Sequence, residues 1–436
     1  MTIKLSEVAK EKGIEYFLIS FVDMGGALRA KLVPAAAIDK MQEDGAGFAG
    51  FAAAMDMTPA HPDMLAKPDP ETLIQLPWKP EVGWLASDCW MDDAPVASSP
   101  RVLLKSQIEK AAAEGYRMKS GVECEFFLID ANEMRVADHH DSARKPCYDQ
   151  LALMRQYDVI KRICDYMQQL GWGPYQNDHE DGNGQFEMNW NFDDALVTAD
   201  RHVFFKYMVK TVAEEYGMRA TFMPKPFNHL TGSGCHAHVS LWDTKGKKNL
   251  FLDGSNDPLG MSMTAYSFLG GVMNEAEALA SIFNPTVNSF KRIDSATTLS
   301  GATWSPNAIT YSGDNRTHMI RIPEPGRFEM RLMDGASNPY LMQAGVLATG
   351  MDGIEHERDP GKPMYNNMYE DGQRLKRVRR LPLNLLDAAR LTSKSKVLRR
   401  QLGDEFIDSH VKLRFDEWRR YATTLSQWEV ENTFDC

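Results

Sequence analysis

Three stretches of this chain place polar groups at a two-residue period beside apolar residues, the pattern of strands that bury one face and present ligands from the other, and a fourth joins two carboxylates through a turn. In Gly232-Ser233-Gly234-Cys235-His236-Ala237-His238-Val239-Ser240, the side chains of His236, His238 and Ser240 fall on one side of an extended backbone. Glu123 and Glu125 alternate in the same way, and the Phe126, Phe127, Leu128 and Ile129 that follow read as core. Arg327, Glu329 and Arg331 share a face in a third apolar-interleaved stretch. Glu180 and Glu187 flank Asp181-Gly182-Asn183-Gly184, a turn sequence tolerant of positive φ, so a hairpin brings both carboxylates back together.

A helical period takes over elsewhere. Residues 101–114 carry Val102, Leu103, Ile108 and Ala112 at helical spacing before Gly115, and further amphipathic helices are predicted over 151–170 and 200–216, stopped by Gly171 and Gly217. Ahead of the Pro- and Ser-rich segment 94–100 lie strand-like pieces at 16–22 and 72–76 separated by Gly and Pro turns. The expected organisation is a small mixed domain over 1–98 and a larger one over 99–436. Ligand-bearing strands alternating with helices predict an α+β fold, with a curved, mostly antiparallel sheet holding the site on its concave face.

Composition narrows the partners. Of the 436 residues 43% are hydrophobic and 25% charged, the balance of a globular protein with ample core, and the net charge of -11 argues against nucleic acid. The basic run from Lys376 to Arg380 is too short to change that and reads as a helix end or subunit contact. Six cysteines at 89, 124, 147, 164, 235 and 436 contain no Cys-x-x-Cys, so neither a zinc ribbon nor a disulfide framework is expected, and a reducing cytoplasm fits best. No stretch approaches the ~20 apolar residues of a membrane span and the N-terminus lacks a signal-like pattern.

The ligand set itself is informative. Five carboxylates (Glu123, Glu125, Glu180, Glu187, Glu329) and one or two histidines cannot converge in a low-dielectric cleft without a compensating cation, because close carboxylates repel. Oxygen-rich donors with a single imidazole suit magnesium or manganese better than zinc. Two such ions ~4 Å apart would clamp a transferring phosphoryl group.

On eight stretches in order the chain resembles the glutamine synthetase family: VECEFFLID, HEDGNGQFE, ATFMPKP at 220–226, GSGCHAHVSLW, NPTVNSFKRI at 284–293, NRTHMIRIP at 315–323, RFEMRL and SNPYL at 337–341. The resemblance implies a small N-terminal β-grasp-like domain, a larger catalytic domain, and a homo-oligomeric ring, commonly a dodecamer of two stacked hexamers with sites between neighbouring subunits. It implies that Glu125, Glu180 and Glu187 hold one metal and Glu123, His236 and Glu329 the other, with two or more Mg2+ (Mn2+ as the alternative). His238, Ser240, Arg321 and Arg327 match positions that meet ATP phosphates, and Phe192 the position that stacks on adenine. Arg292, Arg316 and Arg331, with Gly232, match the glutamate and phosphoryl set, where planar guanidinium donors suit paired oxygens. The implied reaction has two steps: the γ-carboxylate of L-glutamate takes the γ-phosphoryl of ATP, and an amine then displaces phosphate to give an amide.

The chain departs from the family at the amine site. The usual Phe-Asp-Gly-Ser-Ser, whose Asp reaches into the neighbouring subunit to bind ammonium, is here Phe48-Ala49-Gly50-Phe51-Ala52. The stretch after Lys291-Arg292, running to Trp304, is long and lacks the family's flap glutamate, and Thr231 replaces the Asn before Gly-Ser-Gly. Losing an anionic pocket and gaining aromatics favours a small alkylamine: a buried methyl contributes ~0.8 kcal/mol, and Phe48, Phe51 or Tyr148 facing an alkylammonium adds ~0.5–2 kcal/mol. The preferred expectation is a γ-glutamylmethylamide synthetase, with Glu180 receiving the amine's proton. Ammonia is the alternative acceptor, and a diamine a third, its distal ammonium met by Asp56, Asp63 or Asp294. The intact ligand set argues against an inactive structural homologue. Arg379 falls where the family carries its adenylylated tyrosine, so that control is expected to be absent.

Overall fold

The computed structural model describes residues 3–253, 256–293 and 295–436; Asp294 lies outside them. The first seven strands are β1 (Tyr16–Val22), β2 (Leu28–Pro34), β3 (Ala46–Phe48), β4 (Met64–Pro68), β5 (Ile74–Gln75), β6 (Val82–Met91) and β7 (Ala94–Pro95). They form one sheet in the order β2-β1-β6-β4-β3, with β5 and β7 also paired to β6; β1 and β6 run parallel and the other pairs antiparallel. The expected strand at 72–76 is shorter than its pattern suggests, because Pro70 sets a helical turn over Pro70–Thr72 that leaves only β5.

Ten more strands follow: β8 (Tyr116–Cys124), β9 (Phe126–Asp130), β10 (Pro174–His179), β11 (Gln185–Trp190), β12 (Asp193–Asp194), β13 (Met218–Thr221), β14 (Cys235–Asp243), β15 (Tyr311–Ser312), β16 (Ile320–Glu324) and β17 (Arg327–Met330). The expected concave surface takes the form of two sheets, β12-β8-β14-β17-β16-β15 and β10-β11-β9-β13, all antiparallel except the β15–β16 pair. Glu125 is the junction. It belongs to neither strand, its N–H bonding Gly234 O at 3.2 Å, and the chain passes there from one sheet to the other.

The helices pack behind. Helix Pro100–Ala113 begins with Pro at its first turn, where a missing N–H costs no hydrogen bond. The expected helix at 151–170 is two helices, Gln150–Arg155 and Tyr157–Gln169, because Gln156 caps the first at φ -100°, ψ 13°. Helix Ala195–Glu215 starts before the pattern at 200. The longest apolar helix, Met263–Phe283, crosses Pro339–Glu355 so closely that a Cβ on Gly271 would stand 2.1 Å from Thr349 O. No described helix is long and apolar enough to cross a membrane.

Arg101 ties these layers together. Only 3% exposed, it donates to Asp200 Oδ1 at 3.0 Å, Asp88 Oδ1 at 2.7 Å and Asp69 Oδ2 at 2.8 Å, and Tyr340 Oη donates to Asp200 at 2.6 Å.

Candidate active site

The β8–β14–β17 ladder sets His236 opposite Glu123 and His238 opposite Glu329, so the alternation read from the sequence converges across strands. His238 Nε2 donates to Glu123 Oε1 at 2.8 Å, and Arg327 donates to its Nδ1. His236 Nδ1 lies 3.3 Å from Glu123 Oε2 and 3.5 Å from Glu329 Oε1. Glu329 has no exposure and accepts from Arg331 and, at 2.9 Å, from Arg321.

The second cluster joins the sheets. Glu180, at the end of β10, and Glu187 on β11 return through the Asp181–Gly184 turn as expected, and Glu125, Glu180 and Glu187 bring carboxylate oxygens within 4.8 Å of one another. Glu125 Oε2 is fixed by Gln185 Nε2 at 2.7 Å and Gly234 N at 2.8 Å, and Asn189 Nδ2 holds Glu187 Oε1 at 3.0 Å.

Electrostatics divides the carboxylates into two kinds. Burial opposes ionisation of Glu123, but hydrogen bonds from His236 and His238 overcome it and hold its pKa well below the usual range. Burial is likewise outweighed at Glu329, where Arg331 and then His236 bring the pKa down to about 2. At Glu180 and Glu187 the hydrogen bonds from Asp181 N and Asn189 Nδ2 do not outweigh burial. Burial, reinforced by repulsion from Glu125, pushes Glu180 up to about 8, and burial with repulsion from Glu123 and Glu180 drives Glu187 well up.

That imbalance is what a divalent cation removes. His236 supplies a matching sign: its Nδ1 faces carboxylates while its Nε2 is buried with no hydrogen-bond partner, and Glu125 Oε1 lies 4.0 Å from it. A hard oxygen set with one free imidazole nitrogen fits magnesium or manganese.

The carboxylates open into a 110 Å³ cavity also lined by Arg316, Arg321, Arg331, Cys147, Tyr148 and Trp304. Tyr148 and Trp304 both adopt left-handed backbone, φ 64° and 52°, a conformation that costs bulky residues ~1–3 kcal/mol and persists only where contacts over-determine it. For Trp304 the contact is a hydrogen bond to Asp181, shared with Thr231 and Ser300. The sequence offers Asp181 only as a turn residue and Trp304 only as the end of a long loop, since what joins them is a contact across 123 residues.

A neighbouring cavity of 400 Å³ shares Glu123 with the first and is lined by Phe192, His238, Ser240, Arg327, Lys119 and Trp242. Phe192 and Trp242 face each other at 26° with centroids 6.5 Å apart, Lys119 Nζ sits 4.6 Å over the indole, and Trp242 Nε1 donates to Ser240 Oγ at 2.9 Å. Trp242 was not among the expected site residues, although it continues the His236, His238, Ser240 period by one more step.

Other expected residues are not on these walls. Arg292 is buried and donates to Leu332 O at 3.1 Å and Arg331 O at 3.3 Å, so it braces the backbone behind the cavity. Gly232 permits that packing, since a Cβ there would meet Pro224 O at 2.4 Å. Phe48 packs edge-on against Phe21 at 4.9 Å, and Phe51 is 60% exposed; neither lines either cavity within one chain.

Known proteins match this arrangement over the whole chain. Residues 97–433 match the family described as glutamine synthetase, catalytic domain. A "Glutamine synthetase" of Rhizobium meliloti is 56% identical over all of both chains. A "Glutamate--methylamine ligase" of Methyloversatilis universalis is 42% identical over 97% of each. A solved structure titled "GmaS/ADP complex-Conformation 1" superposes with a TM-score of 0.96 at 57% identity, covering 100% of both chains.

Proposed function

This chain belongs to the glutamine synthetase family, whose members use ATP and divalent metals, and we propose that within it the protein is a glutamate–amine ligase preferring methylamine to ammonia. The product is γ-glutamylmethylamide, formed through γ-glutamyl phosphate. Relatives named glutamine synthetase and glutamate–methylamine ligase match over 100% and 97% of the chain, so the reading rests on the acceptor wall. The observation that carries it is Trp304 lining the carboxylate cavity, in a loop that holds no glutamate. An indole face suits an alkylammonium and its methyl group, whereas ammonium calls for an anionic pocket.

The residues divide the work. Phe192 and Trp242 are spaced to hold a flat base, with Ser240, His238 and Arg327 beyond them toward the phosphates. Glu125, Glu180 and Glu187 would hold one Mg2+, and Glu123, His236 and Glu329 a second; when bound, such ions neutralise charge developing on the transferring phosphoryl group. Arg316, Arg321 and Arg331 line the cavity where the γ-carboxylate and phosphoryl oxygens meet, adding fixed positive charge at the transition state. Arg292 and Gly232 shape the wall behind them. Glu180, on the acceptor side with Tyr148 and Trp304, is assigned to receive the amine's proton.

Assembly is read as a ring, a dodecamer of two hexamers. The exposure of Phe51 fits a segment that enters the neighbouring subunit, and an active monomer in light scattering would overturn that part. The acceptor is tested by steady-state kinetics with an amine panel at saturating glutamate, ATP and Mg2+. Methylamine should give the highest kcat/KM; the reading is falsified if ammonia gives a higher value at matched free-base concentration.

A further inference from the structure

On the faces of β8 and β14 turned away from the carboxylates, Cys124 and Cys235 stand directly opposite each other at the last pair of the ladder. The next pair along, Glu125 and Gly234, is hydrogen-bonded. The cysteines therefore occupy a non-hydrogen-bonded position, where opposed Cα atoms are ~4.5 Å apart, inside the ~4.4–6.8 Å range that a disulfide spans. Both thiols are free and fully buried. Helix Ala195–Glu215 brings His202 Nε2 to 3.8 Å from Cys235 Sγ, and the two sulfurs and an imidazole nitrogen all lie within 4.8 Å of one another. His202 Nδ1 is buried without a hydrogen-bond partner among the described residues. The catalytic reading uses none of the three.

We propose that Cys124 and Cys235 form a reversible disulfide, made by hydroperoxides, that turns the enzyme off. One sulfur of the pair attacks a peroxide oxygen; its proton passes through His202 to the departing oxygen, the O–O bond breaks, and a sulfenic acid and one water form. The other sulfur then displaces that hydroxyl, which leaves as a second water with the second thiol's proton. Two thiols thus lose two electrons and hydrogen peroxide gains them. The effect on activity follows from alternation along the strand. Cys124 lies between Glu123 and Glu125, and Cys235 precedes His236, so an S–S bond behind the ladder turns carboxylate and imidazole ligands on its front. The inhibitory effect rests on the ligand assignment above, whereas the cross-link does not, and the two are read separately.

The test treats the reduced enzyme with hydrogen peroxide, alkylates it under denaturing conditions and maps its peptides. Expected are a peptide joining Cys124 to Cys235, a loss of activity of about tenfold or more, and recovery with dithiothreitol. Cys124→Ala and Cys235→Ala should keep basal activity and escape the reversible loss; if either fails to fold, the wild-type peptide map decides alone. The proposal is overturned if both sulfurs alkylate fully in the inactivated enzyme. It is equally overturned if Cys235→Ala shows the same reversible loss, which would place the effect at another thiol such as Cys147 on the cavity wall, or if the cluster purifies holding a thiophilic metal ion.

Discussion

The indole of Trp304 donates to Asp181 Oδ2 at 2.8 Å, and Thr231 Oγ1 reaches the same oxygen at 2.9 Å. Ser300 is a third donor to it. One carboxylate oxygen thus gathers two of the stretches read from the sequence as departures from the family pattern, the Thr before Gly-Ser-Gly and the long loop after Lys291-Arg292. The backbone strain at Trp304 is sustained by that anchor.

Asp181→Ala should release the loop without touching a proposed metal ligand. The expected outcome is a fall of ~10- to 100-fold in kcat/KM for the amine, the loss of a charge-assisted hydrogen-bond set. Limited proteolysis should find new cleavage between residues 295 and 304 in the variant. Unchanged kinetics with an unchanged digest would remove the anchor from the mechanism.

Trp304→Ala tests selectivity separately from rate. Methylamine should lose ~1–2 kcal/mol of its advantage over ammonia, the scale of one cation–π contact with a methyl group. The quantity to compare is the ratio of the two kcat/KM values; a variant slower with both amines by the same factor would show that the indole closes the site and does not select.

Glu329→Gln and His236→Ala should abolish amide formation while leaving the secondary structure intact by circular dichroism. Each should also blunt stabilisation by Mg2+. Ligand at 100 times its dissociation constant stabilises the folded state by ~2.7 kcal/mol, so wild type should show a saturable rise in Tm. A variant with the wild-type rise would show that neither residue holds the ion.

Acid should weaken the protein through His410. Burial, with Arg414 beside it, pushes this histidine down to about 3, so it stays neutral in the fold while the unfolded chain takes up a proton near pH 6.5. The depressed value gives stability present above pH 6.5 and lost as pH falls toward 3, ~2 kcal/mol of it by pH 5. His410→Gln should therefore lose less Tm than wild type between pH 7 and 5, and an equal loss would assign the acid sensitivity to other groups.

Side chains bearing ligands were legible where one element carries them all. His236, His238 and Ser240 follow the strand period, and the Glu180–Glu187 hairpin follows from its turn residues. Glu125 was read as a candidate ligand but not as the point where the chain changes sheets, since both sides of the break read as strand. The break in the helix at Gln156 has no Gly or Pro to announce it. Asp181 was read only as a turn residue, and Ser300 and Trp304 only as part of a long loop, because the bonds that join them are tertiary; Arg292, expected in the glutamate and phosphoryl set, faces main-chain carbonyls.

Arg101 has a practical consequence for anyone dividing this protein. Its partner Asp88 lies on β6 and Asp69 caps the turn that follows β4, while Asp200 and Tyr340 come from helices beyond residue 99. A fragment beginning at residue 99 would keep the guanidinium and discard two of its three carboxylates, uncovering a cation that the intact chain keeps dry. Such a fragment should express poorly or aggregate. Arg101→Met would help it, since an apolar side chain of similar length leaves no stranded charge at the cut face.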